Sequence, residues 1–321
     1  MRALTLILAL LASAALAQDK KAEETLSAMV AVSAKIQPGA RSADTLGLQR
    51  QGNGVLIRDG YALTIGYLVI EAESIQVSGG GKTVPATLAG YDHASGFGLL
   101  KLAAPLPGKP LALGDSTALA EREPALVAGA AGPADVAIVH VVSRRPFSGS
   151  WEYLLDSAIF TIPAVRGWSG AALIGAKGEL LGIGSLIVPD AGGPGTQSPG
   201  NMFVPIDLLK PILSDLVASG RRKAPPRPWL GMNTDEVRGR LFVSRLSPEG
   251  PAERAGLQKD DIVIAVSGED VATLADFYRK VWARGAAGVD VPLKVLRGSQ
   301  MRDVTVRSSD RIQYFRPART Y

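Results

Sequence analysis

From about Ala28 to Ile212 the chain is cut into short apolar runs by turn-forming residues, and this punctuation limits its folds more than any other feature. Val55-Leu56-Ile57 and Tyr61–Thr64 flank Asp59-Gly60, a dipeptide suited to a tight turn between strands. Further strand-like runs follow at Ser74–Val77, Thr83–Leu88, Gly98–Leu102, Ala125–Ala128 and Ala137–Val142. Ala171–Ile174 and Glu179–Ile187 are joined by Gly175-Ala176-Lys177-Gly178, a hairpin loop with glycine at both ends. Helical periodicity falls at Asp207–Val217, where Leu208, Leu209, Ile212 and Leu216 share one face. Many closely spaced strands with a closing helix predict an all-β sandwich or barrel.

A second unit is set off by Ser219-Gly220-Arg221-Arg222-Lys223-Ala224-Pro225-Pro226-Arg227-Pro228, which joins a helix-stopping glycine to prolines and basic residues. It reads as a solvated spacer. From Trp229 to about Ser308 strands are expected near Leu241–Ser244, Asp261–Val266, Val291–Val295 and Val304–Arg307. Helices are expected around Ala252–Ala255 and over Leu274–Ala283, with Thr273 and Asp276 as a capping box. The predicted divisions are residues 18–217, a linker at 218–228, a smaller domain at 229–309 and a tail at 310–321 without periodicity, expected to be loose. At the other end, Arg2, the apolar run Leu4–Leu11 and Ala15-Leu16-Ala17 have the form of an export signal. Cleavage after Ala17 would leave Gln18 at the start of a mature chain in the periplasm or beyond.

Composition narrows the chemistry. With no cysteine among 321 residues, a disulfide scaffold, a thiol nucleophile and a cysteine-ligated metal are all excluded. The two histidines, His93 and His140, are the whole supply of imidazole for acid–base work. A net charge of +5 is too small and too scattered to predict a nucleic-acid surface. No cofactor or metal is expected.

Gly167-Trp168-Ser169-Gly170 sets a serine between glycines just ahead of a strand. Such a turn can expose the hydroxyl while the Gly167 and Ser169 amides form an oxyanion hole, although a plain β-turn has the same sequence. A hairpin rather than a helix follows, which excludes the elbow of an α/β-hydrolase.

The order of segments around that serine resembles the HtrA/Deg family of exported trypsin-like proteases. Gly52-Asn53-Gly54-Val55-Leu56-Ile57 through Thr64 is similar to the family's opening hairpin, and Leu111–Ser116 to its P-L-x-L-G-D-S stretch. Gly167–Leu173 resembles the G-N-S-G-G-P-L nucleophile turn, Gly178–Gly182 the hairpin after it, and Asn201–Ile206 the G-F-A-I-P run before the closing helix. The resemblance implies a mostly β chain, a chymotrypsin-like double β-barrel followed by a smaller α+β PDZ domain. It also implies serine endopeptidase ancestry, with a trimer among relatives.

Two departures fall at the residues that matter. After L-T the family reads N-N-H-V-V, whereas Leu63-Thr64 is followed by Ile65-Gly66-Tyr67-Leu68-Val69, so Tyr67 stands at the base position. In the family's D-x-x-x-D-L-A-V-L-K the second aspartate orients the histidine; here Asp92 is followed by Gly96 at that place. Ser169 is then a vestigial nucleophile. A phenol with an ordinary pKa of about 10 keeps its proton at neutral pH, and glycine cannot hold an imidazole tautomer. His93 reads as a loop histidine and His140 as a strand histidine, Lys177 sits at the far hairpin tip, and Arg144, Arg145 and Arg166 cannot act as bases.

In the smaller domain Trp229-Leu230-Gly231-Met232 resembles the carboxylate-binding loop of PDZ domains, and Pro248–Leu257 and Lys259–Gly268 resemble the elements after it. The resemblance implies peptides added as a strand, with C-terminal carboxylates held by the Leu230, Gly231 and Met232 amides. Phe277 and Val281 either line the side-chain pocket or pack in the core. The implied function is a non-catalytic peptide or unfolded-protein binder in protein quality control. The alternatives are a weak endopeptidase using Ser169 with an unusual base, and a regulatory subunit of an active relative.

Overall fold

The computed structural model describes residues 20–315. The expected signal through Ala17 and the last residues, 316–321, lie outside them. The chain forms two compact bodies, one ending at Arg221 but lacking Arg145–Ser157, which belong with the second body from Arg222 onward.

The first body holds two closed barrels. One contains β1 (Met29–Ile36), β2 (Gln49–Arg58), β3 (Tyr61–Ile65), β4 (Ala72–Gly79), β5 (Lys82–Tyr91) and β6 (Phe97–Leu102), paired in the order β1-β2-β3-β6-β5-β4 and closed by β1 against β4. The other contains β7 (Pro124–Ala128), β8 (Val136–Gly149), β9 (Tyr153–Ile162), β10 (Ala172–Ile174), β11 (Leu180–Val188) and β12 (Gly200–Pro205), in the order β10-β11-β12-β9-β8-β7 and closed by β7 against β10. Strand periodicity builds the interiors: in β1, Val30, Val32, Ala34 and Ile36 are buried while Ser33 and Lys35 face solvent. Leu119, Val127, Val139, Ile159, Leu173 and Phe203 form the core of the second barrel.

β1 and β9 carry little strand signal in the sequence. β1 mixes alanine, serine and lysine into its alternation, and β9 is interrupted by exposed Asp156 and Ser157. The closing helix expected over 207–217 forms only in part. A 3-10 turn spans Ile206–Leu208 and the helix α1 covers Leu213–Ser219. Pro211 lacks the N–H that a continuous helix needs and biases Lys210 away from helical dihedrals. Leu209, Ile212 and Leu216 are buried as the period predicts, but Leu208 is exposed.

The second body has a sheet of β13 (Met232–Val237), β14 (Arg240–Leu246), β15 (Ile262–Val266), β17 (Asp290–Arg297) and β18 (Gln300–Arg307) in that spatial order, with β16 (Glu269–Asp270) paired to β15. Helices α2 (Pro251–Arg254) and α3 (Leu274–Trp282) pack on it, and α4 (Arg311–Tyr314) follows the last strand. At the start of α3 the Thr273 hydroxyl accepts from the Asp276 amide at 3.1 Å, while Asp276 accepts from the Ala272 amide at 3.0 Å. Leu274, Phe277, Tyr278 and Val281 form the buried face of α3.

Two expectations about unstructured segments are corrected. Residues 310–315 are not loose: Asp310 caps α4, the Tyr314 ring lies 4.7 Å from that of Trp229, and its hydroxyl donates to the Pro248 carbonyl at 3.1 Å. Nor is the linker wholly solvated, since the Arg227 guanidinium sits 4.2 Å from the centroid of the Trp282 ring.

Candidate functional site

Ser169 lies in the turn that enters β10, and the first barrel holds this turn in place. The Asn53 amide N–H donates to the Ser169 carbonyl at 2.8 Å. The Asn53 side chain donates to the Gly167 carbonyl at 2.9 Å and accepts from the Ala130 amide at 2.8 Å. Gly170 is forced by this closeness: its φ is +75°, and a Cβ would stand 2.0 Å from the Asn53 carbonyl oxygen. Thr64, fully buried, donates to the same carbonyl at 2.6 Å.

Tyr67 is carried by the 3-10 turn Gly66–Leu68, directly after β3. Arg50, buried behind it, donates to the Tyr67 carbonyl at 2.7 Å and the Ile70 carbonyl at 3.2 Å, so the turn is fastened from the rear. The Tyr67 hydroxyl is hydrogen-bonded both to Ser169 Oγ at 2.9 Å and to the Ser185 carbonyl at 2.8 Å. Burial pushes the phenol above its ordinary pKa, and hydrogen bonds from Ser169 and Trp168 offset this only in part. At neutral pH the group touching the serine therefore keeps its proton.

The other candidates for a base or its orienter are placed elsewhere. His93 packs edge-on against Tyr91, with ring centroids 4.3 Å apart, and His140 is exposed on β8. Gly96 has φ +83° in a turn where its N–H donates to the Asp92 carbonyl at 2.7 Å and its carbonyl accepts from Gly66 at 2.7 Å. The Asp92 carboxylate accepts from the Ser95 amide at 2.9 Å and from its hydroxyl at 2.5 Å, a local turn brace. Asp135, which no sequence motif marks, sits against Gly167: a Cβ there would meet Asp135 Oδ1 at 2.7 Å. An acidic side chain beside Gly167 opposes the negative charge that acyl transfer would develop near that amide.

In the second body the Leu230, Gly231 and Met232 amides converge on one carboxylate, the side chain of Glu152. Leu230 donates to Oε2 at 2.8 Å, while Gly231 and Met232 donate to Oε1 at 2.8 and 3.1 Å. Glu152 lies in the turn between β8 and β9 and is buried, and burial pushes its carboxyl up to about 7 against the opposing pull of the amides and of Arg311. Its own N–H donates to the Tyr278 hydroxyl at 3.1 Å, and that hydroxyl donates to the Gly149 carbonyl at 2.7 Å. Phe277 and Val281 are core residues in one apolar cluster with Leu230, Met232, Tyr278 and, from the β8–β9 segment, Leu154. Nothing in the sequence marks Glu152 as buried, since a glutamate between Trp151 and Tyr153 reads as a hairpin tip.

Residues 52–183 match the trypsin-like peptidase domain family and residues 228–307 match the PDZ domain family. The chain is 31% identical over 278 residues to a protein of Halomonas elongata named "Probable periplasmic serine endoprotease DegP-like", covering 81% of this chain and 56% of that one. It is 29% identical over 274 residues to the periplasmic pH-dependent serine endoprotease DegQ of Escherichia coli, covering 79% of this chain and 58% of the relative. The chain thus spans little more than half the length of these relatives. Among solved structures, the HtrA-type protease AlgW with a tripeptide superimposes with a TM-score of 0.54 at 22% identity, covering 92% of this chain and 96% of the other. At that identity the likeness speaks to the fold.

Proposed function

This chain belongs to the HtrA/Deg family of trypsin-like peptidases with a PDZ domain, and from that premise we propose that it is an exported, periplasmic protein that binds peptides or unfolded proteins without cleaving them. The observation that carries this reading is the Tyr67 hydroxyl 2.9 Å from Ser169 Oγ, where burial raises the phenol's pKa. A serine hydroxyl becomes a nucleophile at neutral pH only when a neighbouring base takes its proton. Tyr67 offers none, because its burial raises its pKa. Removing the base from a comparable triad lowers turnover on the order of 10⁶-fold. Asp135 beside Gly167 adds an electrostatic obstacle at the expected oxyanion site.

Peptide binding depends on backbone donors and a strand edge rather than on a titrating triad. The Leu230, Gly231 and Met232 amides already gather around a carboxylate, which supports carboxylate recognition as the retained activity. Relatives named as periplasmic serine endoproteases support export to the periplasm. Incubation of the purified chain with casein, beside Ser169→Ala, tests the catalytic half. Cleavage by the unmodified chain that is lost in the variant would end this reading.

A further inference from the structure

The carboxylate-binding loop holds a ligand drawn from its own chain. We propose that the segment Gly149–Leu154 is a built-in pseudo-ligand of the PDZ groove, with the Glu152 side chain standing in for a peptide's terminal carboxylate, so that an incoming peptide must displace it. This rests on the reading of the Leu230–Met232 loop as a carboxylate receptor.

Each part of a strand-adding peptide has its counterpart here. Both Glu152 oxygens are taken by loop amides, as a terminal carboxylate would be. β13 is an edge strand, and its Thr234 amide donates to the Ser150 carbonyl at 2.9 Å, a main-chain contact of the kind an added strand makes. Leu154 places an aliphatic side chain in the cluster with Phe277 and Val281. Arg311 from α4 closes the set by donating to the Trp151 carbonyl at 2.9 Å. Glu152 itself has φ +57°, a left-handed conformation that glutamate seldom adopts. Strain of that sort persists where the surroundings over-determine it, and here they do so on a carboxylate. The stand-in also describes the ligand that would replace it: a peptide with a free C-terminal carboxylate and an aliphatic terminal side chain of about leucine size.

The test uses the full mature chain and Glu152→Gly, a substitution that suits φ +57° and deletes the carboxylate. The probe is a fluorescein-labelled pool of random hexapeptides ending in leucine, in free-acid and amidated forms, read by anisotropy. Hydrogen exchange at the Gly231 and Met232 amides gives a readout independent of any peptide. The expected result is that Glu152→Gly binds the free-acid pool at least about tenfold more tightly than the unmodified chain, because the occupied fraction of the groove no longer lowers apparent affinity. Its Gly231 and Met232 amides should exchange faster. Equal affinity and unchanged exchange, with free acids still preferred over amides, would overturn the pseudo-ligand while leaving carboxylate recognition standing. If neither protein prefers free acids over amides, carboxylate recognition itself fails, and the pseudo-ligand with it.

Discussion

The hydroxyl of Tyr67 stands between Ser169 Oγ, at 2.9 Å, and the Ser185 carbonyl, at 2.8 Å. A carbonyl only accepts and a phenol has one proton. With that proton given to Ser185, the bond to Ser169 is made by the serine's own proton directed at the phenol oxygen. The hydroxyl is thus tied to an acceptor that does not remove its proton at neutral pH, as Tyr67's raised pKa requires. We expect no labelling of Ser169 by a fluorophosphonate probe at neutral pH under conditions that label an intact trypsin-like protease within minutes. Labelling that vanishes in Ser169→Ala would show a base that Tyr67 does not account for, and His93→Ala would then be the next variant to assay.

Rebuilding the triad should succeed poorly, and the structure gives the reason. Tyr67→His would put an imidazole on the 3-10 turn beside Ser169, but its orienter must come from position 96, where φ is +83°. A non-glycine residue in left-handed backbone costs roughly 1–2 kcal/mol, aspartate less than most. Tyr67→His alone should therefore stay near background in casein hydrolysis, since triad members act as a unit. The double variant with Gly96→Asp should gain only a weak, Ser169-dependent activity. Turnover close to that of an intact family protease would show that Asp135 and the Gly96 turn present no obstacle.

Much of this arrangement was legible in the sequence, and the rest was hidden for identifiable reasons. The turn dipeptide Asp59-Gly60 marks the β2–β3 hairpin, and Tyr67 and Gly96 stand in the sequence where the resemblance leads one to expect histidine and aspartate. The structure places Tyr67 in contact with Ser169, a distance that no spacing rule provides. In the sequence Asn53 is one residue of the opening hairpin motif, yet it fastens the Ser169 turn through side-chain and backbone bonds to residues more than a hundred positions away. No sequence signal marks Glu152. Its role depends on where a long β-hairpin ends, and local sequence carries no record of that. Pro211 shows the opposite case, a local signal outweighed by an attractive apolar period that the backbone could not follow.

Gly170→Ala tests the seam at the Ser169 turn. The added methyl would lie 2.0 Å from the Asn53 carbonyl oxygen and 2.7 Å from Thr64 Oγ1, on a residue with φ +75°. Both the clash and the backbone strain oppose the native state, together by roughly 3 kcal/mol or more. A urea titration should find the midpoint of the first body lowered, while β13–β18 keep theirs. An unchanged midpoint would mean the turn relaxes away from Asn53.

In the second body, Asp261 is fully buried and held by the Arg297 fork, with Nε to Oδ1 at 2.6 Å and Nη2 to Oδ2 at 2.7 Å. Burial alone would raise its pKa, but the Arg297 bonds and the Gln258 amide outweigh it and hold the carboxyl below its usual value. Because the folded pKa is depressed, this stabilisation is present above the unfolded pKa of about 4 and is lost as pH falls through the folded value. Arg297→Ala should destabilise the domain by ~3 kcal/mol at neutral pH, chiefly by leaving a buried charge unpaired. The difference from the unmodified protein should shrink in thermal melts as pH falls below the unfolded value of about 4 and on through the lower folded value of Asp261. A deficit independent of pH would assign the loss to packing of the arginine stem.

Displacement of Glu152 from the loop should be coupled to proton release. Docked in the loop, its carboxyl is pushed up to about 7, whereas a displaced, solvated glutamate returns to about 4.3. Charged Arg311 on α4 pulls the docked value down without cancelling the burial penalty; the Tyr278 hydroxyl on α3 accepts from the Glu152 amide, and Asp235 on β13 acts on Tyr278 through its charge. A raised pKa in the docked state means that docking takes up a proton, so the closed groove gains stability as pH falls from about 7 toward about 4.3. A peptide that opens the groove within that window must expel the proton along with the side chain. Apparent affinity for the free-acid pool should therefore fall between about pH 7.5 and about pH 5.5, by at most about tenfold per pH unit. Calorimetry in buffers of different ionisation enthalpy should register up to one proton released per peptide bound near pH 6. Glu152→Gly should bind with little pH dependence over the same range. If the unmodified chain also binds independently of pH and releases no proton, Glu152 does not leave the loop when peptide enters.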